Sequence, residues 1–148
     1  MRVHASCIAF EGMGVLLRGP SDAGKSDLAL RAIEAGGQLV ADDLVALELR
    51  GGRVWASPLP RADGRLEVRG IGIVRLPALD GAPLVLIADL SAPERLPEPE
   101  IESLLGVPVR RIRLAPFEIS AAIKLRLAVH MASEDKGAAR VSDNDDGR

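Results

Sequence analysis

Apolar residues fall in short dense runs, punctuated by glycine, proline and charged clusters. RVHASCIAF (2–10) is rich in small and β-forming types and predicts a strand, with a turn at EGMG (11–14). VLLRG (15–19) predicts a short strand that runs straight into GPSDAGKS (19–26). From Ser26 the period changes: Leu28, Ala29, Ala32 and Ile33 share one stripe of a helix over 26–35, which Gly36 and Gly37 stop. QLVADD (38–43) predicts a second strand ending in two carboxylates. LVALELR (44–50) and RVWASPL (53–59), joined by Gly51 and Gly52, predict a hairpin.

The glycine- and proline-rich stretch 60–83 predicts loop with some strand and a helical start, and PLVLIADL (83–90) a buried strand. SAPERLPEPE (91–100) predicts a surface loop, VPVRRIRL (107–114) a further strand and FEISAAIKLRLAVHMA (117–132) a closing helix. SEDKGAARVSDNDDGR (133–148) has no apolar period and predicts a disordered tail. These elements predict one α/β domain with a mixed sheet over 1–132, followed by the tail.

Length and composition fit that picture. The chain has 148 residues, 47% of them apolar, enough for a single core. A net charge of -2 with mixed signs gives no nucleic-acid or membrane-surface footprint. The lone Cys7 has no internal disulfide partner, and no Cys/His cluster has zinc-ligand spacing. Arg2 and Glu11 interrupt the N-terminal stretch, which argues against a signal peptide, and no apolar run is long enough to span a bilayer. The expectation is a cytoplasmic protein.

GPSDAGKS fits Gly-x-x-x-x-Gly-Lys-Ser, and each place has a mechanical reason. Gly19 and Gly24 let the backbone curl so that successive N–H groups aim at phosphate oxygens. The helix that follows adds free N–H groups and a dipole favourable to anions. Lys25 reaches the β and γ phosphates, and the Ser26 hydroxyl suits Mg²⁺. Pro20, Ser21 and Ala23 complete the cradle; Asp22 adds like charge and is expected to point to solvent. The bland alternative is a turn that only caps the helix.

A strand–helix–strand crossover makes 38–43 parallel to 15–19, so Asp42 and Asp43 arrive at the phosphate edge. Two adjacent carboxylates beside polyphosphate suit one acid on metal or structure and one on proton transfer; otherwise they cap the next turn. Asp89 is either a rival metal-side acid or a strand-end turn former. His4 is either a structural histidine or a group titrating near neutrality, and His130 is expected to face solvent or to pack. The RRIR run at 110–113 is either a solvated face or a patch for an acidic partner, and Trp55 reads as packing.

Taken together, VHASCIAFEGMGVLLRGPSDAGKS, LVADD and LEVRGIGIVRL resemble the catalytic domain of HPr kinase/phosphorylase over residues 3 to 90, and more loosely to 130. The resemblance implies a P-loop fold close to phosphoenolpyruvate carboxykinase. It also implies an ATP- and Mg²⁺-dependent kinase acting on a seryl residue of an HPr-type phosphocarrier of the phosphotransferase system, with dephosphorylation by phosphorolysis as a second activity. By the same resemblance Gly19 to Ser26 bind the nucleotide phosphates, Lys25 is catalytic, and Ser26 and Glu67 hold Mg²⁺. Asp43 is the proton acceptor or donor, His4 stands at the active site, residues 66–75 serve both reactions, and Arg95 in its Arg-Leu context matches a catalytic arginine.

The match begins at residue 3, so the expectation is a short form without the N-terminal domain of longer members, which form hexamers; a homo-oligomer is implied here too. VPVRRIRLAPFEIS lacks the family's glycine-arginine-asparagine core before the last helix, which weakens the case for phosphorylase activity. A nucleotide sensor without transfer, and a small-molecule P-loop kinase with 60–83 as its lid, are the alternative readings.

Overall fold

The structure, a computed structural model, describes the backbone of residues 1–146 and the side chains of residues 1–134. The chain runs β1 (Arg2–His4), β2 (Ser6–Phe10), β3 (Met13–Arg18), α1 (Lys25–Glu34), β4 (Gln38–Ala41), β5 (Leu44–Arg50) and β6 (Arg53–Pro58). It continues through β7 (Arg65–Val68), β8 (Gly72–Arg75), β9 (Ala82–Leu90), β10 (Glu100–Leu104), β11 (Val107–Leu114) and α2 (Ala121–Asp146). Nine strands form one mixed sheet in the order β1-β5-β6-β9-β3-β2-β4, with β11 along β9 and β10 outside β11. The α/β class and the mixed sheet are as expected.

β9 is the spine. It runs parallel to β3 from Gly14↔Leu84 to Arg18↔Asp89, and parallel to β11 from Arg110↔Leu86 to Leu114↔Leu90. Its first residues pair instead with β6. β3 and β4 point the same way, as the crossover through α1 requires, but β2 lies between them and antiparallel to both. The expected single strand 2–10 is therefore two strands. The chain breaks at Ala5, β1 pairs with β5, and the start of β2 comes to the edge where β3 and β4 end.

Alternation along the strands divides the core. Ile8, Leu17 and Leu86 face α1 and α2, where Leu28 and Leu125 meet them. Cys7, Leu16 and Ile87 face the other way, onto Val45 and Leu47 of β5. The sheet curls to achieve this, bringing β6 against β4 although the two are not paired.

Four other elements differ from expectation. The 60–83 stretch holds the β7–β8 hairpin and no helix, because Leu66 is buried against the helical layer while Glu67 and Ile73 on the alternate face stay exposed. The end of the 91–100 loop joins β10, which pairs with β11. Residues 117–120 precede the last helix rather than opening it. The backbone of α2 then continues to Asp146, past the end expected at 132; the side chains of the expected tail lie outside the described residues from 135 on. Ala121, Leu125 and Val129 bury one face of α2, while Ile123, Leu127 and Met131, one turn apart, face outward. Among the described residues no helix is long and apolar enough to cross a membrane.

Candidate active site

The C-terminal ends of β3 and β4, the start of β2, the first turn of α1 and the β7–β8 hairpin enclose a cleft of about 1040 Å³. Its floor is the segment 19–26. Gly24, immediately before α1, has φ +90°, a left-handed conformation that favours glycine. Gly19 is required for closeness: a Cβ there would come within 2.8 Å of the Ala23 methyl. The loop is closed by Ala23 N–H donating to Pro20 O at 2.9 Å. The Lys25 ammonium folds over it, donating to Gly19 O at 2.6 Å and Pro20 O at 2.9 Å. Backbone N–H groups of the first helical turn have no intrahelical partners, which gives this end of the cleft its positive character.

The two acids after β4 differ in their surroundings. Asp42 accepts a hydrogen bond from Ser6 Oγ at 2.6 Å and from Ser26 Oγ at 3.0 and 3.2 Å. It ties the loop serine to β2. Asp43 takes a left-handed φ of 71°, and its side chain lies exposed in the cleft. Ala5 N–H donates to Asp43 O at 3.2 Å, so the break between β1 and β2 holds this backbone in place. His4, on the other side of that break, is exposed and also lines the cleft.

The opposite wall is the β7–β8 hairpin, whose alternate face presents Arg65, Glu67, Arg69 and Ile73. Arg69 reaches to 3.8 Å from Asp22, and both are almost fully exposed. The Asp22 side chain faces solvent as expected, with a cation near its charge. Glu67 stands in the same cleft as Ser26. Among the described residues no three His, Cys, Asp or Glu side chains converge as a metal site by themselves.

The cleft thus gathers His4, Gly19 to Asp22, Gly24 to Ser26, Asp43 and Glu67. Arg95 is not brought there; it lies exposed in the 91–99 loop. Asp89 is occupied elsewhere: Arg18 Nε and Nη2 donate to its oxygens at 2.8 and 3.1 Å. Ser6, Asp42's partner, was not visible to sequence reasoning, since only the antiparallel insertion of β2 carries it to this edge. Phe117 was missed for a similar reason: the helical pattern absorbs it, whereas it sits in the loop before α2 and lines the cleft.

The family model described as "HPr Serine kinase C-terminal domain" matches residues 1–89. HPr kinase/phosphorylase of Clostridium tetani is 39% identical over 128 residues, covering 76% of this chain and 42% of that protein. HPr kinase/phosphorylase of Bordetella petrii is 34% identical over 145 residues, covering 88% of this chain and 46% of that protein. The chain therefore spans less than half the length of these curated relatives. The solved structure of the Hpr(Ser) kinase/phosphatase from Coxiella burnetii superposes with a TM-score of 0.84 over 97% of both chains, at 25% identity. A match over more than half of the sequence, an agreeing fold and the cleft just described together place this chain in the HPr serine kinase C-terminal domain family.

Proposed function

We propose that this chain is a protein serine kinase that uses ATP and Mg²⁺ to phosphorylate a seryl residue of an HPr-type phosphocarrier of the phosphotransferase system. The observation that carries the reading is the separation of the acid pair beside the loop: Asp42 is spent on Ser6 and Ser26, while Asp43 is free in the cleft. The residues fit the cofactors. The loop amides and Lys25 suit a polyphosphate tail. The Ser26 hydroxyl donates its hydrogen bond to Asp42, which leaves its oxygen lone pairs for a cation, and Glu67 supplies a carboxylate from the facing wall. Two such oxygens, completed by phosphate oxygens and water, are a donor set Mg²⁺ accepts.

In the kinase direction Asp43 accepts the proton of the acceptor serine as its oxygen bonds to the γ-phosphorus and the bond to the β-phosphate oxygen breaks. Lys25 exchanges its loop carbonyls for the phosphoryl oxygens and offsets their charge. Bound Mg²⁺ would neutralise charge on the phosphates. In the reverse sense Asp43 returns a proton to the serine oxygen as inorganic phosphate attacks phosphoserine. His4, which lines the same cleft, belongs to the catalytic group in this reading. A phosphoenolpyruvate-carboxykinase-like P-loop architecture, a cytoplasmic location and self-association belong to the same reading.

The test is transfer of labelled γ-phosphate to purified HPr. Wild type should label the serine, and Asp43→Asn should lower the rate about 10²- to 10⁴-fold with ATP affinity nearly unchanged. ATP binding without transfer by wild type would favour a nucleotide sensor, and transfer to a small metabolite alone would favour a small-molecule kinase.

A further inference from the structure

One side chain in the cleft has no task in proton or phosphate chemistry. The chain carries three aromatic residues, Phe10, Trp55 and Phe117. Phe10 is buried, Trp55 is half-buried with the Arg50 guanidinium 5.0 Å over its ring, and Phe117 is 71% exposed. Leaving an aromatic ring in water forfeits the gain from burying it, yet among the described residues nothing covers this one.

Its position is fixed by specific contacts. The ring edge lies against Gly24: a Cβ at that glycine would come within 2.9 Å of Phe117 Cε1 and Cζ. The loop between β11 and α2 is clamped on both sides of the ring by one residue of α1. The Arg31 guanidinium donates to Pro116 O and, at 3.2 Å, to Glu118 O. Arg31 is itself held by Asp27 at 3.0 Å, and Lys124 Nζ donates to the Glu118 carboxylate at 2.7 Å. The helix that starts at the phosphate loop therefore also sets where the ring stands. Leu30 of α1 and Ile73 of β8 add apolar surface to the same cleft.

We infer that Phe117 is the stacking platform for the nucleotide's base, held at a set distance from the loop that grips the phosphates. This rests on the nucleotide reading of the cleft. Stacking on an exposed ring face orients the nucleoside, so the γ-phosphate meets Asp43 in one register. It needs no hydrogen bonds to the base edge and is sequence-tolerant for that reason.

The experiment compares ATP with inorganic tripolyphosphate, both with Mg²⁺, by calorimetric titration of wild type, Phe117→Ala and Phe117→Trp. Loss of a base–aromatic stack should weaken ATP binding to Phe117→Ala roughly tenfold to a hundredfold. Tripolyphosphate, which has no base, should bind wild type and Phe117→Ala alike, and Phe117→Trp should restore ATP affinity. Equal weakening for both probes would mean that the ring only props Gly24, and would overturn the inference, as would unchanged ATP affinity in Phe117→Ala. Wild type that binds ATP no better than tripolyphosphate would overturn the stacking role while leaving the phosphate site standing. Wild type that binds neither probe would bring down the nucleotide reading itself, and the inference with it.

Discussion

Cys7 is buried between the strands, and burial pushes its thiol up to about 12, because a thiolate there would lose its water without gaining a partner. The group is neutral in the folded chain at every ordinary pH. Its linkage to stability is therefore level below the unfolded thiol's ordinary pKa of about 8.5 and becomes destabilising as pH rises above it. The expected outcome is that a disulfide reagent at pH 8 labels native protein only as fast as the chain opens, and labels the urea-unfolded chain within the mixing time. Fast stoichiometric labelling of native protein would show that this strand is open. The sequence anticipated a core thiol, and it placed two adjacent acids at the edge where the structure has them. The different surroundings of the two involve Ser6 and the left-handed φ of Asp43, and neither is written in a local pattern. Phe117 shows the same limit, since its neighbours' helical spacing hid a loop fixed by Arg31, 85 and more residues away.

At the scale of elements, the strand–loop–helix unit and the β5–β6 hairpin were legible because glycine, periodicity and turn chemistry are all local signals. The insertion of β2 between β3 and β4 was not, because pairing partners are chosen by the whole sheet. The ends of β3, β9, β10 and β11 make the point in charge. Arg18, one residue before the loop, donates to Asp89 and to Glu102, while Arg111 pairs with Glu100 at 2.5 Å and approaches Glu102 at 3.4 Å. Arg113 also lies 3.8 Å from Glu100, so these members of the RRIR run are engaged within the fold rather than displayed as a free basic patch. The hydrogen bond from Arg18, then its charge, holds the Glu102 carboxyl below its ordinary value. A depressed carboxyl contributes its stabilisation above the ordinary carboxylate range, near 4.3, and loses it as pH falls through the folded value. Glu102→Gln should thus lower stability at pH 7 by about 1 kcal/mol, the discount reflecting partial exposure, and should flatten the acid limb of stability below about pH 5. Urea midpoints measured from pH 7 down to pH 3 test both features; parallel acid limbs for the two proteins would remove Glu102 from the account.

For the whole molecule, β9 decides whether the two sides of the sheet behave as one body. Leu86 lies in the cluster under α1 and α2, and its neighbour Ile87 lies in the cluster facing β5, both without exposed surface. Truncating either to alanine removes buried methyl groups and leaves a cavity, at about 2–5 kcal/mol each. Were the curled β1–β5–β6 wing a separate folding unit, Ile87→Ala would split or broaden the unfolding transition while Leu86→Ala would shift it intact. The architecture argues against that, because one strand supplies the spine of both clusters and pairs on its edges with β3, β6 and β11. Both variants should therefore show a single urea transition with an unchanged slope and a lower midpoint, followed in parallel by far-ultraviolet circular dichroism and by emission of Trp55 on the β6 wing. Trp55 pairs with Pro83 of β9, so it reports the wing while dichroism reports the helices. Midpoints that diverge between the two signals in Ile87→Ala would mean that the acid-bearing end of β4 and the hairpin beyond it open independently of the 19–26 loop. The cleft would then be assembled from two bodies, and Asp43 would owe its place in the same cleft as Lys25 to something other than this sheet.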